Sequence, residues 1–74
     1  MSGNKILAKV GKNQDIFIAL SQFNSKKYLD IRKYYDNKGE MCPTSKGITL
    51  DSSTVDQIRQ VLNDNFEEIE KYLE

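Results

Sequence analysis

The side chains with chemistry to offer in this sequence are rings and cations placed close together. Phe17, Phe23, Tyr28, Arg32 and Tyr34 fall within one stretch, with Lys26, Lys27 and Lys38 at its turn-like breaks. Flat rings receive unpaired bases at about 1–3 kcal/mol each, while lysine and arginine follow the phosphates. The bases of a duplex are already stacked, so duplex DNA does not need the rings. The pattern points to a single strand. Catalytic chemistry has no comparable footing. The chain has no histidine, no paired nucleophile and base, no phosphate-binding glycine loop and no clustered metal ligands. Asp30 and Glu40 can be drawn as a carboxylate pair, but no accompanying residue supports them. No enzyme activity, cofactor or metal is expected.

Charge is distributed unevenly. The net charge is zero, yet residues 1–46 carry nine lysines and arginines against four acids, and residues 47–74 carry two against seven. Such asymmetry suggests one surface for a polyanion and another that faces away from it. Two ordinary solvated surfaces would give the same counts.

A chain of 74 residues holds one domain, read here as 1–74, with a thin core. The single cysteine, Cys42, cannot form an internal disulfide, and the common zinc patterns are absent without histidine. Self-association is therefore the expected staple. The N-terminus lacks a long apolar run, so neither a signal peptide nor a membrane span is expected. A cytoplasmic, nucleoid-associated location with no membrane partner follows as the expectation.

The elements that must position these groups read as four strands and one helix. Lys5 to Val10 is a strand, and Gly11 to Gln14 is a polar break. Asp15 to Phe23 alternates, with Ile16, Ile18 and Leu20 on one face and Phe17, Ala19, Ser21 and Phe23 on the other. Asn24-Ser25 marks a tight turn. Lys26 to Tyr35 places Leu29 and Ile31 one way and Tyr28, Asp30, Arg32 and Tyr34 the other. Asp36 to Gly39 is a turn, so the strand from Glu40 to Leu50 returns antiparallel. Pro43 makes that strand irregular, bulged or an edge. Asp51 is the N-cap of a C-terminal helix. Its apolar stripe runs through Val55, Ile58, Leu62, Phe66, Ile69 and Leu73. That stripe should cover Ile16, Ile18, Leu20, Leu29 and Ile31, leaving the ring-bearing face bare. The fold class is α+β, a four-stranded antiparallel sheet followed by one helix.

The run from Lys26 to Leu50 resembles the DNA-binding domain of the transcriptional Positive Cofactor Four family. Asp30-Ile31-Arg32, the pair Tyr34-Tyr35, Gly39-Glu40-Met41, Pro43 and Lys46-Gly47-Ile48 follow in the family's order and spacing. The resemblance extends more weakly back to about Val10. It implies a curved sheet, a homodimer assembled through the C-terminal helices, and single-stranded DNA bound across the sheet. The small size looks like the stand-alone bacterial members. Phe23 and Tyr35 match the family's base-stacking aromatics. Lys12, Lys26, Arg32 and Lys46 match its phosphate-contacting or base-edge cations. Asn24 and Cys42 stand where eukaryotic members carry lysine, and Ser21 where they carry arginine.

Some readings stay open at this level. Strict alternation from Ile31 sends Tyr35 to the helix side. Either the strand bulges near Tyr34 to re-aim it, or Tyr34 stacks on bases and Tyr35 packs. Arg32 has Asp30 as a same-face neighbour, so a structural ion pair competes with a ligand contact. Single-stranded RNA is an alternative ligand, because no group is placed to read a 2′-hydroxyl. A protein-interaction module using the same face is the third reading.

Overall fold

A computed structural model describes residues 4–74 of the chain. Four strands form one antiparallel sheet in sequence order: β1 Lys5–Val10, β2 Ile16–Phe23, β3 Lys26–Asn37 and β4 Glu40–Leu50. Two helices follow, α1 Ser52–Asp64 and α2 Phe66–Leu73. Tight turns bring each strand back beside its predecessor. Asn24 and Ser25 both adopt positive φ, 51° and 67°, the two-residue geometry that matches strand twist. Lys38 and Gly39 do the same between β3 and β4, at 54° and 92°. The Gly39 N–H donates to the Asp36 carboxylate at 2.7 Å, closing that turn.

Register fixes the two faces. Phe17 lies opposite Arg32 and Arg32 opposite Gly47; Ile18 lies opposite Ile31 and Ile31 opposite Ile48. The aliphatic face expected from alternation is therefore formed, with Leu20, Leu29 and Leu50 in one row. Helix α1 sides with this face. Val55, Ile58 and Leu62 of α1 share a groove with Leu29, Ile31 and Leu50.

The expected location of the core needs correction. Helix α1 meets β3 alone among the strands to any substantial extent, so it leaves much of the aliphatic face uncovered. Leu20 and Ile48 are 44% and 53% exposed. The buried apolar residues are Leu50 on the helix side and Phe17 and Ala19 on the opposite face. Phe17, expected to be bare, is 4% exposed. Its cover comes from its own face: the Tyr34 ring stacks on it and the Lys9 ammonium stands over it.

The single expected helix is also corrected to two. Asp51 caps α1 as expected, its carboxylate accepting from the Thr54 N–H at 2.9 Å. The apolar stripe runs on past Asp64, but the backbone at Asn65 leaves the helical region, with φ −119° and ψ 17°. The Asn65 side-chain amide donates to the Val61 carbonyl at 2.9 Å, alongside the Asn65 backbone N–H at 3.1 Å. Short polar side chains that bond the local backbone in this way compete with regular helix geometry. Periodicity does not register such a break.

Candidate functional site

Of the groups singled out in the sequence, Phe23, Asn24, Lys26 and Arg32 lie on the helix-free face or at its hairpin end, Lys12 lies in the β1–β2 turn, and Tyr35 pairs on the alternate side of β3. Phe23 and Lys26 are a registered pair that closes the β2–β3 hairpin around Asn24 and Ser25. Because both belong to the alternation that contains Phe17 and Arg32, they share that face. Phe23 is 70% exposed, and Asn24 and Lys26 are exposed beside it. A phenylalanine held open at a rigid two-residue turn is a ring presented to solvent without loss of strand pairing.

Arg32 occupies the middle of the face and is held on two sides. Its Nε and Nη2 donate to the two Asp30 carboxylate oxygens at 3.2 and 3.0 Å. Its Nη1 donates to the Thr44 carbonyl at 2.9 Å. The Asp30 carboxylate, chiefly through these hydrogen bonds, pushes the guanidinium pKa above its ordinary value against a smaller opposing effect of burial. The structural ion pair weighed against a ligand role is therefore present. A guanidinium has five N–H donors, so two remain for a ligand after these three bonds.

Next to Arg32 the register breaks. Pairing passes from Arg32–Gly47 directly to Tyr34–Pro43, so Thr44, Ser45 and Lys46 all face Lys33. The irregularity expected near Pro43 is this insertion in β4. Thr44 ties it down: its hydroxyl donates to the Lys33 carbonyl at 2.7 Å and accepts from the Lys46 N–H at 3.1 Å. Gly47 sits so close to β3 that a Cβ would lie 2.8 Å from Arg32 Cβ and from the Ile31 carbonyl oxygen. Lys46 is exposed and takes part in none of the ion pairs among the described residues.

With the extra residues in β4, β3 itself stays regular. The Tyr34 N–H donates to the Asp15 carbonyl at 2.7 Å, continuing the β2 ladder. Tyr34 thus lands beside Phe17, ring centroids 4.0 Å apart and planes 13° from parallel. Tyr35 pairs with Cys42 on the alternate side of the strand and is half exposed. No bulge in β3 re-aims it. Lys12 is exposed in the β1–β2 turn, at the other end of β2 from Phe23.

The structure therefore brings Phe23, Asn24 and Lys26 together at one end of the face, and sets Arg32 at its centre beside the β4 insertion that carries Lys46. Lys12 stands apart at the far end and Tyr35 on the alternate side. Two participants escaped the sequence reading. Lys9 joins the ring pair, its Nζ 4.9 Å from the Phe17 centroid. Thr44 organises the β4 insertion. The signal for Thr44 was the threonine directly after Pro43, where a strand is already expected to depart from its ladder.

A helix-free antiparallel sheet face with a ringed hairpin and exposed lysines that join no ion pair among the described residues, together with the C-terminal helices, defines a small α+β protein. The chain belongs to the family described as Transcriptional Coactivator p15 (PC4), whose profile matches residues 10–61. A crystal structure of a MoSub1–ssDNA complex in phosphate buffer is similar, with a TM-score of 0.76 and 26% sequence identity. The match covers 95% of this chain and 81% of the other. No curated protein sequence matches the chain. The family and the neighbouring fold agree with the resemblance read from Lys26 to Leu50.

Proposed function

We propose that this chain binds single-stranded DNA across the helix-free face of its sheet, with little sequence preference and without catalysis. The observation that carries the reading is Phe23, a ring 70% exposed and paired in register with Lys26. Phe23 receives a base, and Lys26 beside it meets the adjoining phosphate. Lys46 and Lys12 continue the phosphate track. Arg32 offers its two remaining donors to a base edge or phosphate. Tyr35, half exposed on the alternate side of β3, adds a second stacking ring only where the strand wraps beyond this face, and Asn24 contributes a neutral polar contact at the hairpin. The family match and the single-stranded DNA in the similar structure support this reading. A role in replication, repair or transcription fits such binding.

The chain works as a homodimer joined through its helices. The apolar surface left open supports this: Val61, Phe66, Tyr72 and Leu73 on the helices are all more than half exposed. A monomer this small gains by covering such a surface with a second copy.

Fluorescence anisotropy of labelled oligo-dT, its duplex and a matched RNA oligomer, each at two salt concentrations, tests the function. Single-stranded DNA should bind best, with a strong salt dependence. Equal affinity for duplex defeats the reading. Tighter RNA binding transfers the same face to an RNA ligand.

A further inference from the structure

We infer that Thr44 is a positioning residue whose hydroxyl sets the Lys46 ammonium in place for a phosphate of the bound strand. The inference rests on the single-strand reading above and deepens it at one site. Three residues of β4 stand opposite Lys33 alone, and such an insertion leaves backbone groups without ladder partners. Left to itself, that segment would sample several conformations and spread its lysine over many positions. Thr44 removes that freedom from both directions. Its hydroxyl donates to the Lys33 carbonyl across the sheet at 2.7 Å and accepts from the Lys46 N–H along the strand at 3.1 Å. Its carbonyl is held at 2.9 Å by Arg32, itself fixed by Asp30.

The far side of the insertion is equally constrained. Gly47 lies against Arg32, with no room for a Cβ. Lys46 is therefore anchored between a hydroxyl-bonded amide and a close-packed glycine, while its side chain stays exposed and outside the ion pairs among the described residues. A charge presented from a fixed backbone loses less freedom when it meets a ligand. The same three-point tie makes Arg32 a strut as well as a cation: its charge already faces Asp30, whereas that of Lys46 is available.

A double-mutant cycle in the full chain decides the matter. Affinity for oligo-dT is measured over a salt series for Thr44→Val, Lys46→Ala and both together, with Thr44→Ser as the conservative variant. Thr44→Val should weaken binding by about three- to tenfold and lower the salt slope by about 0.7, the amount for one phosphate on a single strand. Lys46→Ala should match it, and the double variant should be no worse than Lys46→Ala. Thr44→Ser should restore both affinity and slope. Should Thr44→Val fail to fold, Thr44→Ala carries the same expectation. Losses that multiply in the double variant, or a Thr44→Val loss at unchanged slope, overturn the positioning role while leaving single-strand binding intact. A wild-type chain that does not bind oligo-dT overturns both.

Discussion

The Tyr34 ring lies flat on the Phe17 ring, 4.0 Å between centroids and 13° from parallel, on the face that carries no helix. This pair turns part of a face expected to be bare into a second small core. Phe17 is 4% exposed, so its ring supports the sheet and is closed to a ligand. Phe17→Leu keeps apolar volume but gives up the ring pair, which contributes about 0.5–1.5 kcal/mol beyond area burial. With imperfect refilling of the site, stability should fall by about 1–2 kcal/mol in urea unfolding. Affinity for oligo-dT, measured where the variant is folded, should change little. A stable variant that loses binding would mean that Phe17 meets the ligand directly.

Phe23 should behave in the opposite way. Its ring is largely in solvent, so Phe23→Ala should leave stability within about 0.5 kcal/mol. The same change should weaken single-strand binding by about 1–3 kcal/mol. Urea unfolding and anisotropy on one preparation check both halves. Undiminished binding would remove the hairpin ring from the proposed interface.

Gly47→Ala should be costly even though glycine-to-alanine changes in strands often help. The new methyl would sit 2.8 Å from Arg32 Cβ and Cγ and from the Ile31 carbonyl. The carbonyl belongs to the ladder and cannot give way cheaply, so strands β3 and β4 must part. A loss of about 1–3 kcal/mol is expected by thermal or urea unfolding. Because Lys46 and Arg32 flank the site, oligonucleotide affinity should fall as well.

Association should depend on the end of the helices. Leu73 and Tyr72 are 73% and 86% exposed, and Phe66 is 59% exposed. Leu73→Glu places a charge where the proposed partner helix packs, so sedimentation should show a dimer for the wild type and a shift toward monomer for the variant. Substituting the exposed Lys12 by alanine should leave the sedimentation of the dimer unchanged. A wild-type chain that remains a folded monomer on dilution defeats the proposed dimer.

Acid should loosen the start of α1. Hydrogen bonds from Thr54, the side-chain contact first, hold the Asp51 carboxyl below its ordinary pKa. A carboxylate whose folded pKa is depressed contributes stability above its unfolded pKa, and that contribution disappears as pH falls through the folded value. Asp51→Asn keeps a capping oxygen without the titration. Its melting temperature should therefore fall less between neutral pH and the acid side of the carboxylate range than that of the wild type. Parallel falls would show that the Asp51 cap does not contribute to acid sensitivity.

Short-range order in the sequence carried most of the secondary structure. Alternation in Asp15 to Phe23 and Lys26 to Tyr35 defined which residues share a face, because successive strand side chains must point to opposite sides. Asn24-Ser25 and Asp36–Gly39 marked the turns through residues that tolerate positive φ. Asp51 marked the helix start. The order of motifs from Asp30 to Ile48 indicated the family, and the profile match over residues 10–61 agrees.

Three features depended on contacts that alternation and periodicity do not record. Phe17 became core because Tyr34, from another strand, came to rest on it. Tyr34 rather than Tyr35 joined that face because the extra residues were accommodated in β4, where Thr44 could bond across to Lys33 and Arg32 could reach the Thr44 carbonyl. The helix stripe broke at Asn65 because a side-chain amide reached the Val61 carbonyl there. Periodicity records which side of its own strand or helix a residue takes. It holds no account of which strand absorbs an insertion or which ring covers another, since those are decided by packing and hydrogen bonds formed only when the strands meet.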